Sequence, residues 1–64
     1  MMKHSRCLKI YRVENNLTQK QLAVILGISQ AYLSAIEKGK IPTDKVKRKI
    51  SDVLNINIVD IFFT

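Results

Sequence analysis

Four side chains in one short stretch could read the edges of nucleobases: Gln30, Ala31, Ser34 and Ala35. A glutamine amide can bond adenine N6 and N7 together, a serine hydroxyl donates or accepts, and alanine methyls pack on thymine C5-methyls. Leu33 and Ile36 recur at i, i+3 and define an inward direction. Advancing 100° per residue from them places Ala31, Ser34, Ala35 and Lys38 outward, with Gln30 and Tyr32 flanking. Few of these are strong readers. Direct readout is therefore expected to be modest and centred on Gln30 and Ser34, with much of the affinity drawn from phosphates and some specificity from DNA shape.

Charge supports a polyanion as partner. The 64 residues carry a formal net charge of +6. The surplus is concentrated: between Lys38 and Lys49 there are six positive residues (Lys38, Lys40, Lys45, Lys47, Arg48, Lys49) against Asp44 alone. Lysine excess by itself also describes an ordinary solvated surface, but a cluster directly after a base-reading stretch favours nucleic acid. Tyr32 can donate its hydroxyl to a phosphate or pack at the helix edge.

Other chemistry finds little support. There is no nucleophile with a plausible base, no glycine-rich phosphate loop and no small-molecule site evident, so catalysis is not expected. Cys7 and His4 are single residues of their kind. They cannot make an intrachain disulfide or a four-ligand zinc site, and no metal or cofactor is expected. No apolar run approaches the roughly 18 to 20 residues that span a bilayer, and residues 1–5 lack the apolar centre of a secretory signal. The expectation is a reduced cytoplasmic protein with no membrane partner.

Five helices are needed to hold the reading stretch. Ser5 is a candidate N-cap for the first, on which Leu8 and Tyr11 face inward, Ile10 and Val13 bury a second side, and Asn15-Asn16 closes the end. Residues 1–4 read as a basic, flexible arm, free to touch phosphates or to stay disordered, ahead of a domain over 5–64. Thr18 with Gln21 is a capping-box start. Leu22, Ala23, Ile25 and Leu26 form the apolar stripe of the second helix, and Gly27 ends it with a positive φ. Ile28 tucks into the turn and Ser29 caps the third helix. Ala23 must be small because the third helix crosses there. Two helices joined steeply by a short glycine-containing turn make a helix-turn-helix, and the third helix is about the width of a B-DNA major groove. Gly39 ends it, Thr43 caps a fourth helix with Asp44 in its first turn, and Val46, Ile50, Val53 and Leu54 form its inward stripe. Asn55-Ile56 closes that helix, and Asn57 caps a last short one.

These residues resemble the Cro/phage-repressor (XRE-like) helix-turn-helix family. The resemblance is carried by Leu8, Tyr11 and Arg12; Leu17, Thr18, Gln19, Leu22 and Ala23; Gly27, Ile28 and Ser29; Leu33, Ile36, Glu37 and Gly39; and Ile50, Val53 and Leu54. It spans nearly the whole chain. It implies an all-α, compact five-helix fold, lambda-repressor-like, with helices 2 and 3 as the helix-turn-helix. Function would be sequence-specific binding of double-stranded DNA by a transcriptional regulator, expected to repress by occupying a two-fold operator as a dimer.

The resemblance also implies roles for single residues. Arg12 and Glu37 would form a partly buried ion pair, where a solvated arginine is the plainer alternative. Gln19, in the first turn of helix 2, would bond a DNA phosphate, joining Tyr32, Lys38, Lys40 and Lys45 as backbone contacts. One phenylalanine must seal the core, and family position favours Phe62. Ile58, Ile61 and Phe63 are then left for a homodimer interface. Asp44 and Lys47 stand where many members are apolar, which should weaken packing of the fourth helix. An antitoxin or adaptor gripping a protein partner on the same scaffold is the alternative function.

Overall fold

Helix boundaries follow local chemistry almost throughout. A computed structural model describes residues 3–62, which form α1 (Lys3–Glu14), α2 (Gln19–Leu26), α3 (Gln30–Glu37), α4 (Asp44–Leu54) and α5 (Ile58–Phe62). Thr18 Oγ1 accepts from the Gln21 amide and Gln21 Oε1 accepts from the Thr18 amide, so both halves of the capping box form. Ser29 Oγ accepts from Tyr32 N–H, Thr43 Oγ1 from Val46 N–H, and Asn57 Oδ1 from Val59 N–H. Each supplies an acceptor to a helix start that would otherwise leave donors unpaired.

The first four helices end alike. A residue at positive φ (Asn16, Gly27, Gly39 or Asn55) turns the chain. The next N–H then reaches back five residues: Leu17 to Arg12, Ile28 to Ala23, Lys40 to Ala35 and Ile56 to Ser51. These closures satisfy carbonyls that a straight helix end would expose. At Gly27 φ is +71° and an added Cβ would meet no atom within 4 Å. Gly27→Ala should therefore cost only the backbone penalty of about 1–2 kcal/mol, measured by urea denaturation, and Gly27→Asn less. A much larger loss would mean that the turn is confined by something other than φ.

The core joins α1 to α4 through Leu8, Leu22, Ala23, Leu26, Leu33, Ile36, Val46 and Ile50. Tyr11, Leu17, Ile28, Val53, Leu54 and Phe62 pack around it. α3 lies against both α1 and α2, and α5 closes over α1 and α4. Among the described residues this is an all-α arrangement of five helices, with α2 and α3 joined through the turn at Gly27 as a helix-turn-helix.

Several expectations are corrected. Lys3 and His4, read as part of a flexible arm, lie in α1, and Ser5 is inside the helix instead of capping it. His4 and Ser5 are buried; Met1 and Met2 lie outside the described residues. Ile10 and Val13 do not bury a second side but are 49% and 65% exposed. The reason is that the inward face of α1 is occupied by His4, Ser5, Leu8, Tyr11 and Arg12, one continuous stripe at helical spacing. Ile25 is likewise exposed, at the edge of the α2 stripe.

Lys47 does not loosen α4. Its side chain is only 13% exposed, with Nζ 3.7 Å from Asp44 Oδ1 and 5.6 Å from the Phe62 ring centroid. The alkyl stem covers apolar surface while the ammonium sits over a π face. A basic residue thus does the work expected of an apolar one.

Candidate nucleic-acid interface

α3 is eight residues long, about 12 Å at 1.5 Å per residue. Leu33 and Ile36 anchor it with no exposed surface. Its opposite side carries Gln30, Ala31 and Lys38 in the open, while Ser34 and Ala35 are half-buried. Gln30 thus stands clear in the first turn of the helix, where its amide has no partner among the described residues. The four residues read as base contacts share one side of the helix, but Ser34 and Ala35 are less open than Gln30 and Ala31.

Both ends of α3 are tied down. At its C-terminus Glu37 is buried, and its carboxylate takes Arg12 in a forked pair: Nε to Oε2 at 3.0 Å and a terminal guanidinium nitrogen to Oε1 at 3.3 Å. Arg12 gives a third bond to the Leu17 carbonyl at 3.1 Å. The Gln19 amide donates to Glu37 Oε1 at 3.3 Å. Planar guanidinium and carboxylate match donor for acceptor, which makes the pair directional as well as attractive. It links α1, the start of α2 and the end of α3. Gln19, expected at a phosphate, is half-buried and turned to Glu37, leaving its second amide hydrogen for any other acceptor.

The loop after α3 and the start of α4 hold the cations. Lys38, Lys40 and Lys45 are exposed. The Lys40 ammonium stands 5.6 Å over the Tyr32 ring, and Tyr32 Oη accepts from Thr43 N–H at 3.1 Å. A phenol that accepts there keeps its own hydrogen to donate. His4 Nε2 lies 2.9 Å from the Lys40 carbonyl oxygen. Because a carbonyl only accepts, Nε2 carries the hydrogen. Further along α4, Lys45, Arg48 and Lys49 face Leu26, Gly27 and Ile28 across an open groove of about 700 Å³. The basic cluster is therefore split, with Lys47 folded inward onto Phe62 and the others outward.

Two contacts were not legible in the chain. Nothing in the spacing of His4 and Lys40 marks them as neighbours, and Tyr32 with Thr43 looked like a phosphate ligand and an independent cap. The residues read as a dimer surface are also regrouped. Ile61 is only 3% exposed and belongs to the interior, because α5 turns that side onto α1 and α4. Ile58 is half-buried, Val59 beside it is 51% exposed, and Phe63 lies outside the described residues. Phe62 takes the sealing position, packed on the core and stacked on His4 with centroids 5.2 Å apart.

Among the described residues no group of three or more His, Cys, Asp or Glu side chains gathers as a metal site. Nor is any helix among them long and apolar enough to cross a membrane.

The helix-turn-helix family model matches residues 8–61. An uncharacterized HTH-type transcriptional regulator of Methanocaldococcus jannaschii is 48% identical over 56 residues, covering 86% of this chain and 85% of that protein. An uncharacterized HTH-type transcriptional regulator of Archaeoglobus fulgidus is 39% identical over 56 residues, 86% of this chain and 79% of its own length. The ImmF control region 10 kDa protein of Bacillus phage phi105 is 36% identical over 52 residues, or 80% of this chain and 58% of that protein. No solved structure matches the chain.

Proposed function

This chain belongs to the XRE-family helix-turn-helix transcriptional regulators, and we propose that it is a sequence-specific repressor that lays α3 in the major groove of a two-fold operator. The observation that carries the reading is the open first turn of α3. Gln30 and Ala31 stand free on a helix whose other side and both ends are held by the core, Ser29 and the Glu37 pair. In such complexes the N-terminal residues of the recognition helix reach base edges.

In this reading Gln30 bonds an adenine edge and Ala31 packs on a neighbouring thymine methyl, while the half-buried Ser34 and Ala35 make smaller contacts to base edges. Lys38, Lys40 and Lys45 neutralise phosphates, assisted by the Tyr32 hydroxyl hydrogen and the remaining amide hydrogen of Gln19. Ile58, with Val59 and the nearby Ile56, is the proposed contact between two subunits. A two-fold pair would place two α3 helices on half-sites one helical turn apart. Repression would follow from occupying promoter DNA.

Binding selection from random duplex DNA tests this directly. A palindromic motif is the expected result, since its symmetry counts subunits. Gln30→Ala should relax preference at one base position in each half-site by about 1–3 kcal/mol, roughly 5- to 150-fold in discrimination, while leaving affinity for unrelated DNA nearly unchanged. Enrichment of no motif by the unaltered chain would defeat the proposal.

A further inference from the structure

We propose that His4 is a positioning residue for the DNA-facing loop: its imidazole N–H fixes the Lys40 backbone, and through it the placement of the Lys40 ammonium against phosphate. The inference rests on the DNA-binding reading above and adds to it a residue on α1, far from α3 in sequence.

Lys40 is exposed, and a lysine stem on an exposed loop ordinarily samples many rotamers. Here its main chain is held on both sides. Its N–H donates to the Ala35 carbonyl at 3.0 Å and its carbonyl accepts from His4 Nε2 at 2.9 Å. The ammonium is drawn over the Tyr32 ring. Tyr32 in turn holds the far end of the loop through Thr43 N–H. The loop between α3 and α4 is therefore bound to α3 at each end and to α1 in the middle.

His4 is itself immobilised. It is 2% exposed and stacks on Phe62 with an interplanar angle of 26°. A histidine that only filled space would need no donor aimed at the loop, and another ring would replace it. One whose N–H places Lys40 would not be replaceable by a ring alone. Preorganised donors lose less freedom on binding, so the effect belongs to affinity and its salt dependence.

The test uses fluorescence anisotropy with the selected duplex between about 50 and 200 mM salt. The chains compared are the unaltered protein, His4→Phe, His4→Gln, Lys40→Gln and the His4→Phe/Lys40→Gln double variant. His4→Phe keeps a ring on Phe62 but has no donor. It should make the log-log salt slope shallower by about 0.9 per subunit, the equivalent of one phosphate contact. The double variant should match Lys40→Gln alone, and His4→Gln, which retains an N–H, should recover most of the slope. Slopes equal to the unaltered chain, or additive losses in the double variant, overturn the inference.

Independently of any variant, the 15N shift of Nε2 in the DNA-free chain should be that of a protonated ring nitrogen. In folded variants the Lys40 carbonyl 13C shift should move with His4→Phe and return with His4→Gln. An unprotonated Nε2 in the unaltered chain overturns the inference even if His4→Phe does not fold. Absence of salt-dependent DNA binding by the unaltered chain, with the NMR signature intact, would instead locate the failure in the DNA reading.

Discussion

Arg12→Ala is expected to remove about 3–5 kcal/mol of folding free energy, a large share of the total when domains of this kind are stable by only about 5–15 kcal/mol. Glu37 is the reason. Its side chain is 2% exposed, and without the guanidinium its carboxylate keeps, among the described residues, only the Gln19 amide. A buried charge left with so little compensation is costly. Glu37→Ala should be milder, because the Arg12 side chain is 22% exposed and can turn to water while keeping Leu17. An apolar pair, Arg12→Met with Glu37→Leu, should restore much of the loss, since desolvation of the original pair is then avoided. Urea unfolding of the unaltered chain, Arg12→Ala, Glu37→Ala and the Arg12→Ala/Glu37→Ala double variant measures the coupling. Small additive losses would show that the pair contributes nothing beyond its separate side chains.

Salt dependence should be the second large effect. If Lys38, Lys40 and Lys45 each neutralise one phosphate in each of two subunits, six contacts imply a slope of about −5 on B-DNA. Affinity would then fall on the order of 10³-fold between about 50 and 200 mM salt. Lys45→Gln should shift binding to all sequences in parallel and make the slope shallower by about 0.9 per subunit. A flat salt profile would refute the electrostatic share of the mechanism, whatever the base preference. The same titration separates Lys45 from Gln30, whose loss should change which sequence is preferred and leave the slope alone.

The two effects draw on different parts of the molecule. The Arg12 and Glu37 pair lies between α1 and the end of α3, so it governs whether α3 has a fixed end. The lysines govern how strongly that helix is held on DNA. Stability and affinity should therefore separate in variants that remain folded.

Apart from the start of α1, where Ser5 lies inside the helix, helix starts and stops were readable because a cap acts over three to five residues. Thr18, Ser29 and Thr43, and the positive-φ residues Asn16, Gly27, Gly39 and Asn55, all meet their partners within the local chain. The outward side of α3 was readable for a similar reason, since Leu33 and Ile36 define its inward side by periodicity alone. Arg12 and Glu37 are a different case. They are 25 positions apart, and only resemblance to a family suggested that they meet.

The chain by itself therefore determined the helix-turn-helix, the caps at Thr18, Ser29 and Thr43 and the inward side of α3. Only the tertiary structure decided how far burial extends around α1 and which side of α5 is interior. It buried His4 and Ile61, released Ile10 and Val13 to solvent, laid Lys47 across Phe62 and joined His4 to Lys40. The physical reason is range: a cap or a turn is decided by atoms a few residues apart, whereas burial depends on which distant helices arrive on each side.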